Sequence, residues 1–236
     1  GFPFDTDSKI WSDPSIIDIN GEKIIFVGSY DGTFYAINSN GSLRFQILVG
    51  VGIVTSPSFA IIDNKIYIFF GAKDGYVYSV DIDGNYLDGW PIYIGDWIES
   101  SISFADFNND EIVEIIVANN TGKISCHYID GTLCAHFPIN YVKEFTSSIS
   151  INDIDFDGDL EILAGNSSSL VVVDIKDYTS TDLTYYWNTF RGNNRRNGLL
   201  SLELNQLLGD MDSNGILNVL DLVIIANLIL ENEFNS

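Results

Sequence analysis

The apolar positions of this chain come in short runs, not in helical stripes. "IIFVG" at 24–28, "KIYIFFG" at 65–71, "EIIVA" at 114–118 and "EILAG" at 161–165 each end on a small residue and meet a polar turn. The stretches after those turns, "TFYAIN", "YVYSVD", "KISCHY" and "LVVVDI", alternate apolar with polar or small residues to varying degrees. Short runs rich in β-branched and aromatic residues, bounded by Gly, Asp and Asn, predict strands. Aligned on the turns, the units step by 43 residues from Gly28 to Gly71, then by 47 to Ala118 and 47 to Gly165. A further Asp/Asn-Gly turn leads in most units to an aromatic-led strand: "RFQILV", "GWPIYI", "HFPINY", "YWNTF". About four short strands per unit, repeated every 40–50 residues, predict β-propeller blades, in which each small sheet buries its faces on its neighbours. A β-sandwich is the alternative, and the repeat favours the propeller. The expected fold is all-β, with blades at about 1–43, 44–88, 89–135 and 136–180, a closing segment to 198, and a small loop-helix segment over 199–236.

The third and fourth units carry acidic loops. "ADFNNDEIVE" places Asp106, Asn108, Asp110 and Glu114 at loop positions one, three, five and nine, with the carbonyl of Ile112 at seven. "NDIDFDGDLE" places Asp153, Asp155, Asp157, Asp159 and Glu161 in the same frame. Oxygens on alternate residues of a tight loop suit calcium, which takes six to eight of them. Carboxylates packed this closely repel one another unless a cation offsets the charge. The corresponding turns of the first two units are short and lack the acids, so they are expected to be metal-free. Asp31, Asp74, Asp83 and Asp130 precede glycines and read as turn residues.

These blades resemble the FG-GAP/VCBS family of bacterial extracellular propellers, in an order of aspartate-rich loop, "Glu-Ile-apolar" strand, glycine turn and "aromatic-Pro" start. The resemblance covers roughly 1–198. It implies an extracellular or cell-surface calcium-stabilised propeller. "YYWNTFRGNNRRNG" is similar to the segment that follows the last blade in such proteins, with Trp187 and Phe190 as packing residues. Arg191, Arg195 and Arg196 are expected to pair with local carboxylates or carbonyls. "GFPF" at the start matches a blade's aromatic-Pro start, which leaves open that further blades precede it.

The tail repeats the metal spacing. Asp210, Asp212, Asn214, Asn218 and Asp221 stand at loop positions one, three, five, nine and twelve, with Gly215 at six and the carbonyl of Ile216 at seven. The run Val219–Leu230 that follows is apolar nearly all round, so a partner or the chain itself must cover it. Loop and run resemble one half of a dockerin. That implies a docking surface through Val219, Leu220, Leu222, Ile225, Leu228 and Ile229. Val219 and Leu220 occupy positions at which dockerins commonly carry small hydroxyl residues, a departure that points to looser anchoring or intramolecular docking.

Charge narrows the partners. With 33 Asp and Glu against 11 Lys and Arg the net charge is −22, which disfavours nucleic acid and anionic membranes. No apolar run reaches membrane-spanning length. His127 and His136 lack the spacing of a metal or nucleophile site and read as structural. The expected function is therefore non-enzymatic: adhesion, or binding of a carbohydrate or protein. A non-catalytic C-terminal part of a secreted hydrolase or polysaccharide lyase is the alternative. A quinone-dependent dehydrogenase fragment is weaker, since it needs a cofactor floor that four blades do not evidently supply. Cys126 and Cys134 flank Asp130-Gly131; a two-residue turn there sets Cys126 opposite Ala135 and disfavours a disulfide.

Overall fold

A computed structural model describes residues 1–62, 65–110, 112–176, 186–193 and 196–202. The described residues form four sheets, antiparallel except for one strand pair, with no α-helix among them. Blade one contains β1 (Ser15–Ile19), β2 (Glu22–Gly28), β3 (Thr33–Asn38) and β4 (Leu43–Leu48). Blade two contains β5 (Ser58–Ile62), β6 (Lys65–Gly71), β7 (Tyr76–Asp81) and β8 (Ile92–Tyr93). Blade three contains β9 (Ser103–Ala105), β10 (Glu114–Ala118), β11 (Lys123–His127) and β12 (Ile139–Asn140). Blade four contains β13 (Ser150–Asn152), β14 (Leu160–Gly165) and β15 (Leu170–Ile175). A last strand, β16 (Leu199–Leu202), pairs parallel with β1. The first three aromatic-led segments close their own sheets and do not open the next, so those sheets end at Leu48, Tyr93 and Asn140, later than residues 43, 88 and 135, whereas "YWNTF" at 186–190 forms no strand.

Aromatic rings join the blades. Phe34 stacks on Phe70 with centroids 4.0 Å apart, Phe26 meets Phe59 edge-on, and Phe69 meets Phe104 edge-on. One core cluster thus runs through blades one to three, and a second joins blade three to blade four through Ile116, Ile124, Ile151 and Ile162. Each fully buried Phe contributes about 1.5–3 kcal/mol. The polar positions of the alternating strands are small where blades meet: Ser79 and Ser125 are buried. On blade four, Val171, Val173 and Ile175 pack towards blade three, while Leu170 and Val172 are exposed.

A hydroxyl repeated in all four blades fixes the end of each second strand. Ser12 Oγ accepts from the amide of Gly28 (3.2 Å), and Thr55 Oγ1 both accepts from the amide of Gly71 and donates to its carbonyl (2.9 Å each). Ser100 Oγ donates to Ala118 O (2.7 Å), and Ser147 Oγ accepts from the amide of Gly165 (2.7 Å). A Cβ at Gly28 or Gly71 would collide with Ile53 or Ile98 of the following connector, so the small residue at this step is steric.

The segment after blade four runs past the expected limit at 198 into β16, whose residues were expected to belong to the tail, and touches all four blades. Trp187 O accepts from the amide of Phe104 and Asn188 O from that of Ile151, on blades three and four. The buried Trp187 ring meets Phe59 of blade two edge-on at 4.9 Å, and β16 reaches blade one. Arg191 donates to the carbonyls of Pro14 and Asn197 and lies 3.7 Å from Asp13, as expected of a cation paired locally. Arg195 lies outside the described residues.

The cysteine expectation is overturned: Cys126 and Cys134 form a disulfide, with Cα atoms 5.4 Å apart. The hairpin loop has three residues, not two. Tyr128 N donates to Thr132 O, His127 bridges Leu133, and Gly131 sits at φ 84°. This loop with a left-handed glycine moves the register by one residue and sets Cys126 opposite Cys134.

Candidate metal centre

The blades define two rims. Turns between first and second strands, and between third and fourth, lie on the lower rim; turns between second and third strands, and the connectors between blades, lie on the upper. Both acidic loops join first to second strands, so they share the lower rim.

They also share a backbone frame. The amide at position two donates to the carboxylate at position nine: Phe107 to Glu114 Oε2 at 2.9 Å, and Ile154 to Glu161 Oε2 at 2.7 Å. The residue at position four is left-handed in both, Asn109 at φ 57° and Phe156 at φ 63°.

In blade four Asp153, Asp155 and Glu161 each bring an oxygen within 4.8 Å of the others. Two oxygens on opposite sides of one calcium ion are about 4.6–5.2 Å apart. Glu161 is 2% exposed, and its Oε1 has no hydrogen-bond partner. Burial, with the nearby charges of Asp155, Asp174 and Asp157, holds its carboxyl above the ordinary range. An unbonded, buried carboxylate oxygen beside two further carboxylates fits a cation ligand. Asp157 and Asp159 group instead with Asp174. Lys176 binds this second group, at 2.9 Å from Asp157 and 2.5 Å from Asp174, and so supplies its counter-charge. The five carboxylates of this loop therefore do not converge on a single point.

Blade three is less open. Asp106 and Glu114 are buried, but Asp110 Oδ1 accepts from the amide of Ile112 and Oδ2 from Asn108 Nδ2. Among the described residues its carboxylates do not form a cluster as tight as those of blade four. Burial first, then the charges of Asp106 and Asp110, pushes Glu114 up to about 7. Glu114 and Asn108 also line a cavity of about 240 Å³ between blades three and four, walled by the disulfide, Phe107, Phe137 and Val173.

Asp31, Asp74 and Asp130 hold their turns as expected, whereas at Asp83-Gly84 the amides of Asp83 and Asn85 donate to Asp81 and the Asp83 carboxylate pairs with Arg44. Asp31 accepts from the amide of Thr33 and the hydroxyl of Tyr35, and Asp74 from the amide of Tyr76 and the hydroxyl of Tyr78. Asp130 accepts from Thr132. His127 is buried, its ring bonded to Gly131 O. The tail residues Asp210, Asp212, Asn214, Ile216, Asn218 and Asp221, and the docking positions Val219, Leu220, Leu222, Ile225, Leu228 and Ile229, lie outside the described residues. So does Glu111.

Residues that sequence reasoning missed are the hydroxyls at 12, 55, 100 and 147 and the cavity. The hydroxyls had a signal in "SDPS", "TSPS", "SSIS" and "SSIS" at 43–47-residue spacing.

No protein-family model matches the chain, and no curated protein matches it by sequence. Solved structures do match. The computationally designed Ika4 protein aligns with a TM-score of 0.51 at 20% identity, over 72% of this chain and 94% of that one. BamB from Moraxella catarrhalis aligns at 0.51 and 12% identity, over 72% of this chain and 48% of that one. The WD40 β-propeller domain of Doa1 aligns at 0.53 and 14% identity, over 73% and 53%. The chain thus spans about half the length of the last two. At these identities the likeness concerns the fold alone, and with four repeated sheets it makes this chain an all-β protein of propeller type.

Proposed function

We propose that this chain is a non-catalytic, calcium-stabilised extracellular recognition module, binding a carbohydrate or protein surface and attached through its C-terminal segment. The observation that carries the calcium reading is Glu161 Oε1, buried and unbonded beside Asp153 and Asp155. Asp153, Asp155 and Glu161 would hold the ion, which would supply charge neutralisation and a clamp on the loop joining β13 and β14. The disulfide supports an oxidising compartment. The FG-GAP/VCBS-like loops and the dockerin-like tail support surface attachment on sequence grounds. His127, buried and bonded to Gly131 O, fits a structural role.

Calcium binding to the folded state alone stabilises it by about 2.7 kcal/mol at a hundredfold excess over Kd. Thermal unfolding in calcium and in chelator should therefore differ, and Glu161→Gln should shrink that difference. Identical transitions in both conditions, with no calcium by elemental analysis, would remove the reading.

A further inference from the structure

Away from the acidic loops, the upper rim carries three exposed aromatic rings gathered around one ammonium group. Trp11 is 58% exposed, Trp97 47% and Tyr30 41%. Lys73 Nζ lies 4.4 Å from the Trp97 ring centre, 5.0 Å from Tyr30 and 6.0 Å from Trp11. Trp11 and Tyr30 are themselves 4.9 Å apart, and Lys9 lies over Trp11 at 5.5 Å.

The rings come from separate parts of the chain and are fixed by the repeat. Tyr30 N donates to Lys9 O, Lys73 N to Gly52 O and Asn120 N to Trp97 O, so the same backbone bond is made in three successive blades. Tyr30 also rests on Gly52, where a Cβ would stand 3.1 Å from the ring. The Lys73 ammonium is held further by Glu99 at 3.7 Å. Cation–π attraction sets the rings in place before any ligand arrives.

We propose that Trp11, Tyr30, Trp97, Lys73 and Glu99 form a binding site for a neutral polysaccharide chain. This rests on the reading of the chain as a non-catalytic binding module and gives that reading a ligand class and a place. Aromatic faces are electron-rich and pair with the C–H face of a pyranose. Sugar hydroxyls both donate and accept, which matches an ammonium beside a carboxylate. The net charge of −22 disfavours uronate-rich or sulfated polymers, whereas a neutral polymer is indifferent to it. A cluster of three rings is also small beside the ~800 Å² per partner of a standard protein interface.

The test is native affinity electrophoresis through gels holding hydroxyethyl cellulose, galactomannan, starch or polygalacturonate, with Trp97→Ala, Trp11→Ala and, as a lower-rim control, Tyr86→Ala. At least one neutral polymer should retard the wild type, and polygalacturonate should not. Both tryptophan variants should weaken binding about tenfold or more, equivalent to about 1.4 kcal/mol, while Tyr86→Ala binds normally. No retardation by any neutral polymer, retardation that both tryptophan variants retain, or retardation by polygalacturonate alone would each overturn the proposal. Melting curves with calcium and chelator, run on the same variants, report separately on the metal reading, so either idea can fail without the other.

Discussion

Glu114 shows how one buried carboxyl can make stability depend on pH. Burial raises it from an ordinary 4.5 to about 7 in the folded protein. Without calcium the folded state then holds more protons than the unfolded chain between those values. Stability should be greatest below that window, fall as pH rises through it, and level off above. Glu114→Gln should flatten this fall when wild type and variant are compared by denaturant unfolding in chelator from pH 5 to 8; parallel curves would mean that Glu114 does not titrate there. At this scale the sequence was informative about chemistry and poor on partners. The spacing of Asp153, Asp155 and Glu161 announced a cluster that forms. That Lys176 and Asp174 draw Asp157 aside could not be read, because both lie a whole strand pair from that loop.

Within each blade the recurring hydroxyl makes its own prediction. Thr55→Val keeps the side chain's shape but leaves the amide and carbonyl of Gly71 without their buried partner, a loss of about 1–3 kcal/mol. Thr55→Ser retains the oxygen and should recover most of it; equal melting temperatures for all three proteins would show that the bond contributes nothing. Strands and turns were legible because the strand signal is local and recurs four times. The Cys126–Cys134 pairing was not, because one residue of loop length decides which side chains face each other across a hairpin. Blade limits slipped for a similar reason: strands such as Leu43–Leu48 pair with the sheet before them, and pattern alone does not say on which side a strand pairs.

Across the whole molecule, contacts distant in sequence govern the arrangement. Trp187 was legible as a packing residue, but its position against the inner strands of blades two and three was not. The ring cluster was equally hidden, its members spread from Trp11 to Trp97. The proposed attachment role of the tail is tested by Ile225→Asp and by truncation before Leu208, both in calcium. If the tail docks outward, both should melt with the wild type while losing any surface or partner association. A shared drop in melting temperature would instead make the tail part of the folded unit. One feature of the closure bears on load. Because β16 runs parallel to β1 from the upper rim to the lower, Leu202 lies at the rim opposite the rings. Tension between a ligand on the upper rim and an anchor beyond Leu202 would run along the strand axis and strain the hydrogen bonds of that ladder in shear, together and not one after another. A mechanical grip of that kind resists pulling far better than a strand peeled from its end.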